Sequence, residues 1–151
     1  MTEDYMKECK RKEQHIFGSI LLLANKLQIL GDRLIEDISL KQWFLLIIIK
    51  LIAKENPSIT DIAENIGNTR QNVKQMLNTL EKKGYVITQK SKEDGRALSV
   101  YLTEKCYKYF ERNEHSGDVI LDKLFQDIEP SEYDSIIKIF NILFQNIESY
   151  N

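Results

Sequence analysis

Apolar residues recur at three- and four-residue spacing early in the chain, at Ile16, Phe17, Ile20, Leu23, Leu27, Leu30 and Leu34. That period predicts one amphipathic helix from about Cys9 to about Ile35, which Gly31 weakens or kinks. A second helix is expected after a cap at Ser39. Its run Trp43-Phe44-Leu45-Leu46-Ile47-Ile48-Ile49 is apolar on every side, a pattern that a buried strand shares. Lys50-Leu51-Ile52-Ala53 continues it without a turn signal, and that length favours a core helix.

The pattern then shortens. Pro57-Ser58-Ile59-Thr60-Asp61 reads as a helix start, with Ser58 as cap and Asp61 at the reciprocal position of a capping box. Gly67 closes this helix. A longer one follows, capped by Thr69 or Asn68, with a single apolar stripe of Val73, Met76, Leu77 and Leu80 that ends at Gly84. Two helices joined this tightly predict a helix-turn-helix. The period changes to two in the next segment. Tyr85 to Gln89 has strand composition, Asp94-Gly95 is a favoured tight-turn pair, and Leu98, Val100 and Leu102 alternate with Ala97, Ser99 and Tyr101. A β-hairpin in this place is a wing.

The remainder returns to helix, through Tyr107, Phe110, Leu121, Leu124 and Phe125 with a bend expected at Ser116-Gly117. A last helix follows Pro130-Ser131. It carries the stripe Tyr133, Ile136, Ile137, Phe140, Leu143, Phe144 and Ile147, wide for a terminal helix, so the first and last helices are expected to bury their stripes against a second subunit. The expected fold is mainly α with a small antiparallel hairpin. Residues 1-38 form an N-terminal dimerisation helix, 39-103 a winged helix-turn-helix lobe and 104-151 C-terminal dimerisation helices, within a single compact domain.

Composition narrows the partners. With 151 residues, 42% hydrophobic and 29% charged, the chain is of ordinary globular type. Its longest apolar run falls well short of the roughly 18 residues of a spanning helix, and no signal-peptide pattern opens it, so a cytoplasmic location and no membrane partner are expected. The net charge of -2 hides an uneven distribution. From Arg70 to Thr103 seven basic residues face three acidic ones, whereas from Glu104 onward five basic residues face ten acidic ones. The basic stretch is the candidate nucleic-acid face.

If Val73, Met76, Leu77 and Leu80 point inward, helical geometry sends Arg70, Gln71, Asn72, Lys74, Gln75 and Asn78 outward. Gln and Asn pair with adenine edges and Arg with guanine, so Arg70, Gln71, Asn72 and Gln75 are the expected readers, with Thr69 beside them and Lys74 holding phosphate. On the wing, Lys90, Lys92 and Arg96 surround the tip. Arg96 is placed to enter a minor groove, where Asp94 orients its guanidinium. One short helix discriminates only a few base pairs, so a usable operator requires two copies.

These residues resemble the MarR (multiple antibiotic resistance) family of regulators over nearly the whole chain. The motifs are Asp94-Gly95-Arg96 in the wing with Leu102-Thr103 after it, and Leu80-Glu81-Lys82-Lys83-Gly84 at the end of the reading helix. Ile62-Ala63 with Ile66-Gly67, and Ser39-Leu40-Lys41-Gln42-Trp43, match the preceding helices. The resemblance implies a homodimeric, sequence-specific regulator of transcription, a repressor that binds a pseudo-palindromic operator in double-stranded DNA and is released by a small-molecule effector. It also implies an effector pocket between the dimerisation helices and the DNA-binding lobe, for which His15, Phe17, Trp43 and Tyr107 are the candidate lining. Gln71-Asn72-Val73-Lys74-Gln75 is more polar than the family's commoner Ser/Thr-rich version, so an operator sequence does not carry over.

Other classes fit less well. A winged-helix module that binds protein would share this charge pattern. A redox-controlled regulator would use Cys9, near Lys7, Lys10 and Arg11, yet peroxide sensors of the family usually seat that cysteine among apolar residues. Cys106 is expected to pack. His15, His115 and the cysteines lack metal-ligand spacing, and no metal or cofactor is expected. No phosphate loop, nucleophile elbow or H-E-x-x-H pair is present, so an enzyme is not expected.

Overall fold

The computed structural model describes residues 11–52, 56–90 and 98–150. They form α1 (Lys12–Leu34), α2 (Leu40–Leu51), α3 (Ile59–Ile66), α4 (Arg70–Lys82), β1 (Val86–Lys90), β2 (Leu98–Leu102), α5 (Glu104–Leu124) and α6 (Pro130–Glu148). The fold is mainly α with one antiparallel hairpin, as the periodicity predicts. The chain divides into two compact units, Met1–Tyr107 and Lys108–Asn151, with the division inside α5.

Local chemistry sets the boundaries in the first unit. The ambiguous apolar run folds as helix α2, started by a reciprocal box in which Ser39 Oγ accepts the Gln42 amide at 3.2 Å and Gln42 Oε1 accepts the Ser39 amide at 3.1 Å. Ser58 and Asp61 start α3 in the same way, at 3.2 Å and 2.7 Å. Gly67 ends it in the left-handed conformation (φ 64°), which a side chain would strain.

The core gathers around α3 and α4. Leu45 and Leu46 of α2, Ile62 of α3, Val73, Leu77 and Leu80 of α4, and Val86 and Val100 of the hairpin are all at most 1% exposed. Cys106 is buried with them, as its sequence environment suggests. By contrast Phe44 and Leu51 of α2 lie exposed, so that helix buries one face of its apolar run. Gly31 leaves α1 continuous to Leu34. Its part is steric, because a Cβ there would lie 2.7 Å from the Leu40 side chain.

In the second unit the bend expected at Ser116-Gly117 is absent. Helix α5 runs through both residues to Leu124. A Cβ at Gly117 would meet nothing within 4 Å, so this glycine serves no close approach and the surrounding helix formers carry it. The chain reverses later, where Asp127 takes a left-handed φ of 65° ahead of Pro130 at the start of α6. Phe125 and Tyr133 bracket that turn, with ring centroids 6.0 Å apart. Among the described residues neither α1 nor α6 holds a buried side chain. Also among them, no helix is long and apolar enough to cross a membrane.

Candidate nucleic-acid interface

Helix α4 is amphipathic in the sense its sequence requires. Val73, Leu77 and Leu80 fill the core, while Arg70, Gln71, Asn72, Lys74, Gln75 and Asn78 are all exposed. The six polar side chains named from the sequence therefore share the outward part of one helix. Thr69 is the N-cap, and its hydroxyl oxygen accepts the Asn72 amide at 3.2 Å. Asn68 adds a constraint that spacing does not announce. Its Oδ1 accepts the Thr69 amide at 2.8 Å and Asn72 Nδ2 at 3.1 Å, so the Asn72 amide is held in one orientation at the head of the helix.

The hairpin follows directly, paired from Val86↔Leu102 to Lys90↔Leu98. Three attachments fix it to the helices. Glu81 on α4 accepts both the amide and the hydroxyl of Thr88 through Oε1. Thr103 Oγ1 donates to the Gly84 carbonyl at 2.7 Å, while the Cys106 amide donates to that hydroxyl at 3.3 Å at the start of α5. On the other edge of β2 the Val100 amide donates to the Pro57 carbonyl at 3.0 Å and Ser58 bridges Ser99, which is why Ser99 is buried although simple alternation would expose it. The Leu80 to Gly84 motif has thereby a physical content: a core leucine, a carboxylate that holds β1, and a glycine at φ 78° that ends α4.

Lys90 is exposed at the far end of β1. Lys92, Asp94 and Arg96, the remaining wing candidates, lie outside the described residues. Of the pocket candidates, Phe17 on α1 is 66% exposed and Tyr107 on α5 is 46% exposed, whereas His15 and Trp43 are half-buried on α1 and α2. Cys9 falls outside the described residues. The thiol of Cys106 is pushed up to about 11 by burial, which keeps it protonated and unreactive at neutral pH. Among the described residues no group of three or more His, Cys, Asp or Glu is placed to hold a metal ion.

A helix-turn-helix whose second helix presents amides and bases outward, followed by a hairpin, matches known proteins throughout. Residues 38–98 fit the family model described as the MarR family. The chain is 32% identical over 91 residues to an uncharacterized HTH-type transcriptional regulator of Bacillus subtilis, YfiV, an alignment covering 60% of this chain and 57% of that protein. This chain thus matches little more than half the length of that relative. It is 23% identical over 146 residues to the transcriptional repressor MprA of Escherichia coli, covering 91% of this chain and 83% of the repressor. Its fold is similar to that of Sco3205, a MarR family regulator of Streptomyces coelicolor solved in complex with DNA, with a TM-score of 0.80 at 20% identity over 92% of each chain. The helix-turn-helix with its wing and these matches make residues 38–98 of the chain similar to the MarR family, and the fold similar to that of solved MarR regulators.

Proposed function

We propose that this protein is a sequence-specific, double-stranded-DNA-binding regulator of transcription that works in the cytoplasm as a homodimer and represses the genes whose operators it occupies. One observation carries the reading: α4 buries Val73, Leu77 and Leu80 and thereby turns Arg70, Gln71, Asn72, Lys74 and Gln75 outward, immediately before a hairpin. Amide and guanidinium groups at the head of an exposed helix suit base edges in a major groove, and Lys74 suits phosphate. Thr69 stands at the helix end nearest the same groove. The wing contributes Lys90 and, by sequence, Lys92, Arg96 and Asp94 for the adjoining minor groove.

The dimer is supported by α1 and α6. Each is an amphipathic helix of about twenty residues with no buried side chain in the single chain, and such apolar faces require a cover. Two copies also meet the specificity demand that one reading helix fails. A small-molecule effector that loosens operator binding fits the family, with His15, Phe17, Trp43 and Tyr107 as the residues to test for contact.

Selection of bound sequences from random duplex DNA tests the reading. The expected product is a two-fold symmetric motif with a fixed distance between half-sites. Recovery of no motif, or of an asymmetric one, would transfer the exposed helix and hairpin to protein recognition instead.

A further inference from the structure

The link between α1 and α2 is built as a clasp on the far end of α4. At its start, Asp32 in the last turn of α1 accepts the Leu40 amide at 2.7 Å through Oδ1 and Gln28 Nε2 at 2.8 Å through Oδ2, so α1 caps the first turn of α2. Gly31 lets the Leu40 side chain approach to where a Cβ would stand. The two helices are therefore joined closely at this corner.

In the middle of the link Asp37 adopts φ 70°, the left-handed region that few residues other than glycine enter. Its carboxylate is doubly engaged. Oδ2 accepts the Tyr85 hydroxyl at 2.6 Å, and Oδ1 lies 3.3 Å from Lys83 Nζ, which also donates to the Asp37 carbonyl. Lys83 is the C-cap of α4, and Tyr85, 2% exposed, follows Gly84. Lys105 locks the arrangement from outside, with Nζ 4.4 Å from the Tyr85 ring centroid and 2.6 Å from the Lys83 carbonyl oxygen. The Tyr85 hydrogen bond first, then Lys83, hold the Asp37 carboxyl below its ordinary range, so the carboxylate is charged at neutral pH.

The clasp grips the C-terminal end of α4, and the expected base readers sit at the other. A helix of 13 residues is about 20 Å long, so a tilt of roughly 5° at the clasp displaces the reading end by nearly 2 Å. Hydrogen bonds to base edges do not survive such a shift.

We infer that Asp37 is a positioning residue: by clasping Tyr85 and Lys83 it fixes the angle between α1 and the reading helix, and so the distance between half-sites that the dimer accepts. This rests on the DNA-binding dimer proposed above. A merely structural ion pair would support folding without setting that distance.

Two substitutions open the clasp gently. Asp37→Gly keeps the left-handed backbone and the carbonyl that Lys83 uses, and Tyr85→Phe keeps the buried ring under Lys105. Each is measured in two ways in the full chain. The first is the distance between spin labels at Lys26→Cys and Asn78→Cys, both exposed, with Cys9→Ser and with labelled chain diluted in unlabelled chain. The second is competition between the selected operator and versions with one base pair inserted or removed at its centre.

The clasp predicts a label distribution broadened or shifted by about 2 Å in both variants. It also predicts that preference for the native spacing falls by at least about threefold, with base preference inside each half-site kept. A label distribution unchanged from wild type overturns the inference, as does an equal loss of affinity at all three spacings. If the wild-type chain selects no symmetric operator, the DNA reading fails, and the label distances alone decide whether the clasp positions α4.

Discussion

Glu81 on α4 and Thr88 on β1 are joined twice through one oxygen, with Glu81 Oε1 accepting the Thr88 amide at 2.6 Å and its hydroxyl at 2.8 Å. The wing's first strand is thus tied to the helix proposed to read DNA. Both residues are half-buried, so water replaces a missing partner poorly. Glu81→Ala is expected to destabilise the protein by about 1–3 kcal/mol in urea unfolding. Glu81→Gln keeps an acceptor and loses less, and Thr88→Val, which spares the amide bond, should cost only about 1 kcal/mol. An unchanged midpoint for Glu81→Ala would remove the tie from the account.

The same carboxylate illustrates what spacing conceals. The hydrophobic period placed the α1 to α4 series and the hairpin, because burial of one face per element is written in the order of apolar residues. The Ser39 cap and the pairing of Ser58 with Asp61 were legible for a similar reason: capping is local. Glu81 with Thr88, Asn68 with Asn72, and Asp37 with Tyr85 were not, since polar residues at such positions are compatible with plain solvation until the chain is folded. Gly117 misled for the converse reason, a glycine with no steric task inside a helix whose neighbours sustain it. Gly31 has a task, yet only the approach of Leu40 discloses it.

That contrast gives three alanine substitutions different outcomes. At Gly117 nothing lies within 4 Å of a new Cβ, so helix propensity alone acts and Gly117→Ala is expected to stabilise by about 1 kcal/mol. At Gly31 the same propensity gain meets Leu40 atoms at 2.7 to 2.8 Å, and overpacking of about 1–3 kcal/mol outweighs it. At Gly84 space is ample, with Lys105 Cδ 3.8 Å away, but φ 78° costs an alanine about 1 kcal/mol. Thermal melts of the three variants, ranked Gly117→Ala highest and the other two below wild type, check the assignment.

The thiol of Cys106 predicts an alkaline signature. Burial raises it from 9.0 to about 11, so the folded chain holds a proton that the unfolded chain releases first. Its contribution is complete below pH 9 and declines as pH rises towards 11. The difference in unfolding free energy between wild type and Cys106→Ala, followed across that range, isolates this group from the lysines and tyrosines that titrate nearby. The difference should shrink with pH. At neutral pH a disulfide-exchange reagent should modify Cys106 at the rate of unfolding, and fast native-state modification would contradict its burial.

The division of labour between wing and reading helix is open to a salt titration. Arg96, expected at the wing tip from its motif, would contribute charge near phosphates whatever the sequence, so Arg96→Ala should weaken binding to every duplex alike. It should also flatten the dependence of log K on log salt by about one contact per subunit, roughly two for a dimer. Gln71→Ala and Asn72→Ala remove no charge, so their slopes should match wild type while the preferred bases change, by about 1–3 kcal/mol per reader. Asn72 has a further dependency, because Asn68 Oδ1 holds its amide. Asn68→Ala should therefore relax the base preference that Asn72→Ala abolishes, at the same position of the motif and with no change of slope. Equal slopes for wild type and Arg96→Ala would withdraw the wing contact, and a loss of slope in Gln71→Ala would mean that α4 grips backbone instead of reading bases.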